Sequence, residues 1–208
     1  MKKSFFLFKV LMTLLAFALF LLMTGGFYFN SLNTVRYYLA LAIALYAMKY
    51  VLREEYGKFV LWILFGTIFH KSILLVIPAY LTAHLLAKTK LKKWHYALGA
   101  AFLLTLIFGQ NVYRKIVFRF YPYYRDSAFD TGDISWVNVL KCAGTLALCA
   151  LCYKRSIRDH IVNRFYFFLN LAALVVYPCG SFIPEVSRVG YYLIVSQIFL
   201  LPNLLSDM

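Results

Sequence analysis

Charged side chains are scarce in this sequence. Asp, Glu, Lys and Arg make up 14% of its 208 residues, whereas hydrophobic residues make up 63% and aromatic residues 19%. The mean hydropathy is correspondingly high, at +0.73. A chain with so few polar side chains cannot cover the surface of a soluble globule of this size. The composition therefore excludes a soluble domain and predicts an integral membrane protein that crosses the bilayer several times.

Acidic residues are the scarcer kind of charge. The sequence has 8 Asp and Glu residues against 22 Lys and Arg residues, which gives a formal net charge of +14. In a soluble protein this excess would suggest a nucleic-acid partner. Here the basic residues stand in short clusters between apolar runs, so they indicate membrane topology and attraction to anionic lipid headgroups. We therefore predict membrane lipids as partners, and no nucleic acid.

Motifs for the common cofactors are missing. There is no Gly-rich phosphate loop, no metal-ligand spacing and no serine nucleophile elbow. The few cysteines provide neither a metal site nor a disulfide framework, since Cys142, Cys149 and Cys152 lie along one predicted helix without a nearby histidine. We interpret them, and the isolated Cys179, as small apolar filler between helices. The sequence therefore predicts no metal and no other cofactor.

Apolar runs of membrane-spanning length predict an all-α fold. The first run, residues 5–28, spans about 24 residues and exceeds the core of a signal peptide, so we predict a retained helix with a cytoplasmic N-terminus. The predicted spanning helices are 5–28, 35–52, 95–112, 136–153, 165–177 and 187–202, and 113–135 is predicted to be the longest polar loop. Together they predict a polytopic transmembrane helical bundle, with residues 1–208 as a single integral membrane domain.

Residues 58–86 differ from the other runs because His70 and Lys71 interrupt them. The 12 residues from Lys58 to Phe69 would rise about 18 Å as a helix, which places His70 past the middle of a ~30 Å hydrocarbon layer. Either one continuous helix buries both residues in mid-span, or the chain turns near His70 and returns to the side it came from. The second arrangement is a re-entrant helical hairpin.

The distribution of basic residues distinguishes these two arrangements. A single crossing divides the basic residues of the loops and helix ends evenly, nine on each side. A hairpin moves every later loop to the other side and leaves six outside and twelve in the cytoplasm, which follows the positive-inside rule. The twelve are Lys2, Lys3, Arg53, Lys58, Lys88, Lys90, Lys92, Lys93, Lys154, Arg155, Arg158 and Arg164. We therefore predict about six spanning helices plus one re-entrant hairpin.

Ionisable residues within apolar segments are the first functional candidates. Each costs about 2.5 to 3.5 kcal/mol in hydrocarbon and therefore usually faces a protein interior or a water-filled cavity. Arg36 and Arg188 lie in the first turns of two helices that both start on the outer side, and such arginines can neutralise a diphosphate without a metal. His70 can accept a proton from a hydroxyl. Plainer interpretations stay open, namely snorkelling of Arg36 to lipid phosphate and a packing contact at His70 and Lys71.

The polar stretch 113–135 adds further candidates. Arg125 follows a run of tyrosines from Tyr121, and aromatic rings beside arginine suit either a carbohydrate-facing loop or an ordinary aromatic belt at the membrane surface. The sequence also predicts carboxylates on the outer face. These are Asp126, Asp130, Asp133 and Glu185.

Several of these segments resemble one family. The helix that starts Arg36-Tyr-Tyr-Leu-Ala-Leu-Ala-Ile-Ala-Leu-Tyr, the elbow at 54–58, and Phe69-His70-Lys71-Ser72 with the later Ile-Pro-Ala-Tyr80 resemble the EpsG family of exopolysaccharide membrane proteins, which is related to Wzy-type polymerases. Arg188-Val-Gly-Tyr-Tyr resembles the late arginine-tyrosine segment of that family. The resemblance implies inverting, metal-independent transfer of a polyprenyl-diphosphate-linked oligosaccharide on the outer face of the bacterial inner membrane.

The resemblance also implies roles for individual residues. We expect His70 to be catalytic, accepting the proton of the acceptor hydroxyl or orienting it, and we expect substrate binding by Arg36, Arg188, Lys71 and Arg125. Lipid-linked oligosaccharide is the expected substrate, and other polysaccharide-assembly proteins are the expected partners. Two alternatives stay open: a membrane acyltransferase that decorates sugars, and a non-enzymatic flippase or assembly subunit.

One departure from the family pattern concerns the N-terminal side. Several helices usually precede the arginine helix in this family, whereas a single helix precedes it here. We therefore expect either a short member or the C-terminal part of the longer family architecture.

Overall fold

A computed structural model describes residues 2–25, 28, 34–125, 127 and 130–207. These residues form α-helices with short 3₁₀ and π turns and contain no β-strand. The helices are α1 (Lys2–Thr24), α2 (Val35–Leu52), α3 (Tyr56–Gly66), α4 (Val76–Lys88), α5 (Lys93–Phe108), α6 (Gln110–Phe120), α7 (Trp136–Leu151), α8 (Ile161–Val176), α9 (Val186–Ile194) and α10 (Gln197–Asp207). The predicted all-α class is confirmed.

Within the described residues, four helical segments are long and apolar enough to cross a membrane, and a bent pair, α5 with α6, would make a fifth. The four are Val35–Leu52, Lys71–Lys88, Ile161–Ser181 and Val186–Ser206. Shorter apolar helices occur at Met12–Thr24, Tyr56–Gly66 and Trp136–Leu151. This set agrees roughly with the predicted six spans and hairpin, and the polytopic helical bundle is confirmed.

The bundle has two ends, which we name by their contents. The elbow end holds residues 53–55, 88–93 and 153–160, and Arg164 at the start of α8 donates a hydrogen bond there to the carbonyl of Thr89 at 2.8 Å. The site end holds the start of α2, the turn after α8 and the start of α9, where the Tyr37 hydroxyl donates to the carbonyl of Arg188 at 2.7 Å.

Helices α3 and α4 form a hairpin with both feet at the elbow end. The ring of Phe59 stacks on Tyr80 with centroids 6.1 Å apart, and Lys88 Nζ lies 2.7 Å from Glu54 Oε1. These contacts pair the beginning of α3 with the end of α4, so the two helices are antiparallel. The hydrogen bond from Lys88 lowers the pKa of Glu54. The predicted hairpin is confirmed, and the alternative of one continuous helix is wrong.

The tip of the hairpin reaches the site end. A Cβ at Gly66 would collide with Ile73 and come 3.3 Å from Ile43 Cγ2, so glycine allows α3, the turn and α2 to meet. His70 then starts a 3₁₀ turn, and its ring packs edge-on against Tyr37 with centroids 5.4 Å apart. Because Tyr37 lies in the first turn of α2, His70 lies far from the elbow, as predicted.

Helix α8 is the centre of the core and contacts α4, α7, α9 and α10. It also carries the fully buried Asn170, which donates to Ser196 Oγ at 3.0 Å and accepts from Gln197 Nε2 at 2.8 Å. Ser196 and Gln197 lie at the break between α9 and α10. A broken helix in a membrane needs internal partners for its freed backbone groups. Ser196 Oγ donates to the carbonyl of Leu193 at 2.7 Å, and Asn170 holds Ser196 in place.

The prediction of a helix over 95–112 followed by a polar loop over 113–135 is wrong. Helix α5 ends at Phe108, and α6 follows after a bend of 77° at Gly109. A Cβ at Gly109 would lie 2.5 Å from the carbonyl oxygen of Thr105, so the bend requires glycine. Basic residues recur along α6 while Phe118 is buried, which is the pattern of an amphipathic helix. Polarity there marks one helix face and not a loop.

Other predicted boundaries also differ, and α1 runs over Lys2–Thr24 and not over 5–28. Helix α8 begins at Ile161 and not at residue 165. The last predicted helix is broken after Ile194, and α10 continues past Pro202 to Asp207.

Candidate functional site

Three elements meet at the site end around the buried ring of Tyr37. Its hydroxyl donates to the carbonyl of Arg188, which fixes α2 against the first turn of α9. Its ring makes edge contacts with His70 and with Tyr192, at centroid distances of 5.4 and 5.2 Å. One tyrosine therefore ties together the arginine helix α2, the hairpin tip and the late arginine-tyrosine segment.

A chain of hydrogen bonds holds His70 in place. Its Nδ1 lies 2.6 Å from Ser72 Oγ, and Ser72 Oγ lies 3.2 Å from the hydroxyl of Tyr192. Tyr192 is held in turn, since the buried Tyr80 donates to its carbonyl at 2.6 Å. The imidazole is half-buried and oriented by partners from both the hairpin and α9.

The same contacts indicate which nitrogen of His70 carries its proton. The backbone N–H of Ser72 donates to Nδ1 at 3.3 Å, so Nδ1 acts as the acceptor. In a neutral imidazole the other nitrogen then carries the proton. His70 therefore has Nε2–H as a hydrogen-bond donor.

Arg188 is held by one carboxylate. Its Nε lies 2.7 Å from Glu185 Oε2, and the two side chains are 33% and 22% exposed. Glu185 has a left-handed backbone, with φ of 56°, immediately before α9. Within the described part of the chain, no acceptor pairs with the two terminal nitrogens of the guanidinium. Such a planar fork with free N–H groups can bind phosphate oxygens in pairs.

The other predicted site residues lie at the same end but are less restrained. Arg36 and Lys71 are exposed, and neither has a hydrogen bond or ion pair to a described residue. Arg125 is also exposed, and its guanidinium lies over Phe118 at 5.4 Å from the ring centroid. The structure therefore brings His70 and Arg188 together around Tyr37 and leaves Arg36, Lys71 and Arg125 on the surface around them.

Tyr124 lies in a short 3₁₀ turn that follows α6. It lies within electrostatic range of Arg188 and Glu185, and burial raises its pKa to about 12. Of the predicted outer carboxylates, Asp130 pairs with Arg114. Asp133 and Glu185 line a cavity of about 310 Å³ beside α9, and Asp126 lies outside the described residues.

The sequence predicted no role for four residues that build the site, Tyr37, Ser72, Tyr80 and Tyr192, although all four lie in the segments that resemble the family. A signal was present, because each of the two first-turn arginines is followed by a tyrosine pair. Such tyrosines resemble an aromatic belt when only the sequence is known. Among the described residues, no group of three or more His, Cys, Asp and Glu side chains is placed as metal ligands would be.

Fold and site together define a class: a polytopic helical membrane protein whose one end presents arginines around a hydrogen-bonded tyrosine and histidine network. The sequence matches the family model of the EpsG family over residues 2–208, nearly the whole chain. The chain therefore belongs to the EpsG family, which makes it a membrane protein of exopolysaccharide biosynthesis. No curated protein and no solved structure matches it.

Proposed function

We propose that the chain is a polysaccharide polymerase that transfers oligosaccharide repeat units from a polyprenyl-diphosphate carrier on the outer face of the cytoplasmic membrane. The observation that supports this proposal is that Tyr37 contacts both the backbone carbonyl of Arg188 and the ring of His70, at one end of a membrane bundle. A lipid-linked diphosphate reaches a protein from the bilayer surface, so a cationic site at a helix end suits it.

The orientation follows from the basic residues. The elbow end carries the two large clusters, at 88–93 and 154–164, and the site end carries fewer basic residues. Under the positive-inside rule the elbow end faces the cytoplasm and the N-terminus lies there as well. The site end then faces outwards, where repeat units are joined.

In the proposed reaction, the diphosphate of the donor binds the free N–H groups of Arg188, with Arg36 and Lys71 adding positive charge. An acceptor hydroxyl oxygen attacks the anomeric carbon opposite the diphosphate, and the bond from that carbon to the diphosphate oxygen breaks. The configuration inverts, and the hydroxyl proton leaves to a phosphate oxygen or to water. The arginines stabilise the negative charge that develops on the leaving group.

His70 orients an oxygen in this reaction. Because its Nδ1 accepts from Ser72, the side chain presents Nε2–H to the substrate. A donor fixed in this way can hold a phosphate oxygen or the acceptor oxygen in line for attack. This favours the orienting role of His70 over direct proton acceptance at Nε2.

Substitution of Arg188 tests the proposal. In cells that depend on this gene, Arg188→Lys and Arg188→Ala should both lower polymer length and amount, by about 100-fold if one charge-stabilising donor is lost. The lysine variant should fail because a point charge cannot replace a planar fork. Arg158→Lys is the matched control, since Arg158 is exposed at the elbow end beside Asp159. Equal polymer from wild type and Arg188→Ala would reject the proposal.

The lipid-linked intermediate separates polymerisation from the two alternatives. In cells that carry Arg188→Ala, single repeat units should accumulate on the lipid carrier at the outer surface of the membrane. An added glycosidase can reach them there. Accumulation at the inner surface would instead indicate a flippase. Polymer of normal length that lacks acyl groups would indicate an acyltransferase.

A further inference from the structure

A cavity of about 850 Å³ lies at the elbow end, between α8 and the start of α5. Its walls come from the end of α4, the start of α5, the π turn over residues 153–157 and the first half of α8. The reaction outlined above takes place at the other end of the bundle. This cavity therefore has no part in it.

The part of the lining that lies at the elbow end is basic. Lys88 and Lys90 both line the cavity. Lys88 is paired with Glu54, but Lys90 is exposed and has no hydrogen bond or ion pair to another described residue. Arg158 and Asp159 also line the cavity, and their charges largely offset each other because the two side chains lie 3.3 Å apart. Lys90 is therefore available to an anion.

Arg164 adds a second cation, which the fold holds in place. Its Nη2 donates to the carbonyls of Leu86 and Thr89, at 3.3 and 2.8 Å. A guanidinium carries five N–H groups, so the three on Nε and Nη1 remain for a ligand. Arginine binds phosphate oxygens through such paired donors. Lys90 and Arg164 together suit one phosphate group.

The rest of the lining is mainly apolar and aromatic and follows α8 into the bundle. It includes Ile161, Phe167 and Leu171 of α8, with Tyr96 of α5. Leu171 lies about 15 Å along the helix from Ile161, which is about half of a ~30 Å hydrocarbon layer. A free phosphate or a nucleotide needs no apolar surface of this length. A lipid of one leaflet has both a phosphate and an apolar chain of that reach.

Helix α5 provides the outer wall of the cavity and packs loosely. The structure describes α5 throughout, and none of its residues is buried. Tyr96 and Trp94, near its start, are 64% and 55% exposed. A lipid in the cavity would contact both α5 and α8 and so fill the space between the helix and the core.

We propose that this cavity binds one anionic phospholipid, with its phosphate at Lys90 and Arg164 and an acyl chain along the apolar part of α8. Basic pockets between transmembrane helices on the cytoplasmic side bind such headgroups. A zwitterionic phospholipid carries the same phosphate but no net charge, so the basic lining favours the anionic kind. The assignment to the cytoplasmic leaflet rests on the orientation given under the proposed function, whereas lipid binding itself does not.

Native mass spectrometry of the full chain, purified in detergent, tests the proposal. The probes are phosphatidylglycerol and phosphatidylcholine with identical acyl chains, and inorganic phosphate. The protein should retain one phosphatidylglycerol, at a concentration about 10-fold lower than it needs for phosphatidylcholine. Inorganic phosphate should bind more weakly than phosphatidylglycerol, because it lacks the apolar chain.

Two pairs of variants locate the site. Lys90→Glu should weaken phosphatidylglycerol binding about 10-fold, whereas Arg53→Glu, at an exposed position of the elbow end outside the cavity, should leave it unchanged. Leu171→Trp fills the apolar part of the cavity and should weaken binding by a similar factor. Its control is Leu61→Trp, since Leu61 of α3 is 67% exposed and lies outside the cavity.

Three outcomes overturn the proposal. Equal affinity for the two phospholipids would mean that the basic residues do not select the headgroup. Equal effects of Lys90→Glu and Arg53→Glu would mean that the elbow end attracts lipid through its overall charge and has no site. Phosphate binding as tight as that of phosphatidylglycerol, with no effect of Leu171→Trp, would indicate an anion site only. These measurements record binding and not polymer, so they are independent of the polymerase proposal.

Discussion

At the scale of single residues, the hydrogen bond between Ser72 and His70 decides what the imidazole can do. A backbone N–H is always a donor, so Nδ1 facing Ser72 is an acceptor and Nε2 keeps the proton. Ser72 Oγ in turn reaches Tyr192 at 3.2 Å. The ring is therefore held in position, and its neutral form in one tautomer, by residues of two different elements.

This arrangement predicts different outcomes for two substitutions of His70. His70→Gln keeps an N–H donor near the position of Nε2, so polymer formation should stay within about 10-fold of wild type, whereas His70→Leu should lower it by about 100-fold. Polymer ladders from complemented cells give the measurement, and immunoblots of membranes check that both variants accumulate. His160→Gln, at an exposed position of the elbow end, is the control. Equal loss in both His70 variants would mean that proton acceptance matters.

At the scale of elements, the hairpin of α3 and α4 depends on close approach at its tip. The regular α-helix ends at Gly66, and the chain bends before the 3₁₀ turn begins at Lys71. Gly66 lets Ile73 and Ile43 pack over this bend. The hairpin is closed at its feet by the ion pair of Lys88 with Glu54. That pair is exposed and therefore contributes little, so the tip is the more sensitive end.

We predict that Gly66→Ala destabilises the protein by about 1 to 3 kcal/mol, because the added methyl group must displace Ile73. The apparent melting temperature of the purified protein in detergent should fall. Gly57→Ala is the matched control within the same helix, since nothing lies within 4 Å of its Cβ position, and alanine there should be neutral or slightly stabilising. An equal effect of both substitutions would show that the tip is not tightly packed.

At the scale of the whole molecule, the hairpin sets the side on which every later loop lies. With both feet of the hairpin at the elbow end, the clusters at 88–93 and 154–164 lie at one end, and residues 131–135 and 177–188 lie at the other. The two ends differ in chemistry: one is basic, and the other combines arginines, carboxylates and tyrosines.

Labelling of single cysteines should therefore report opposite sides. In a background without the four native cysteines, Lys90→Cys should be protected from a membrane-impermeant maleimide in intact cells, and Ser127→Cys should react. Lys90 is exposed in the structure. Protection of Lys90→Cys would therefore mean that it lies on the cytoplasmic side of the membrane, and not that it is buried in the protein. Reaction of Lys90→Cys from outside would contradict the proposed orientation.

The sequence by itself determined the class, the hairpin and the principal candidates. Apolar runs must become helices in a bilayer, since backbone groups there need internal partners. The distribution of basic residues then predicted that residues 58–86 return to the elbow end, and His70 and Arg188 were found because ionisable groups in apolar sequence are costly.

Only the tertiary structure decided which side chains meet. Tyr37, Ser72 and Tyr192 come from three segments far apart in the chain, and no periodicity within one segment encodes their contact. The close approach of Ile43 and Ile73 at Gly66 likewise depends on packing between α2 and the hairpin tip. Local hydrophobicity fixes whether a segment enters the membrane, but hydrogen bonds and close contacts between distant segments fix the site.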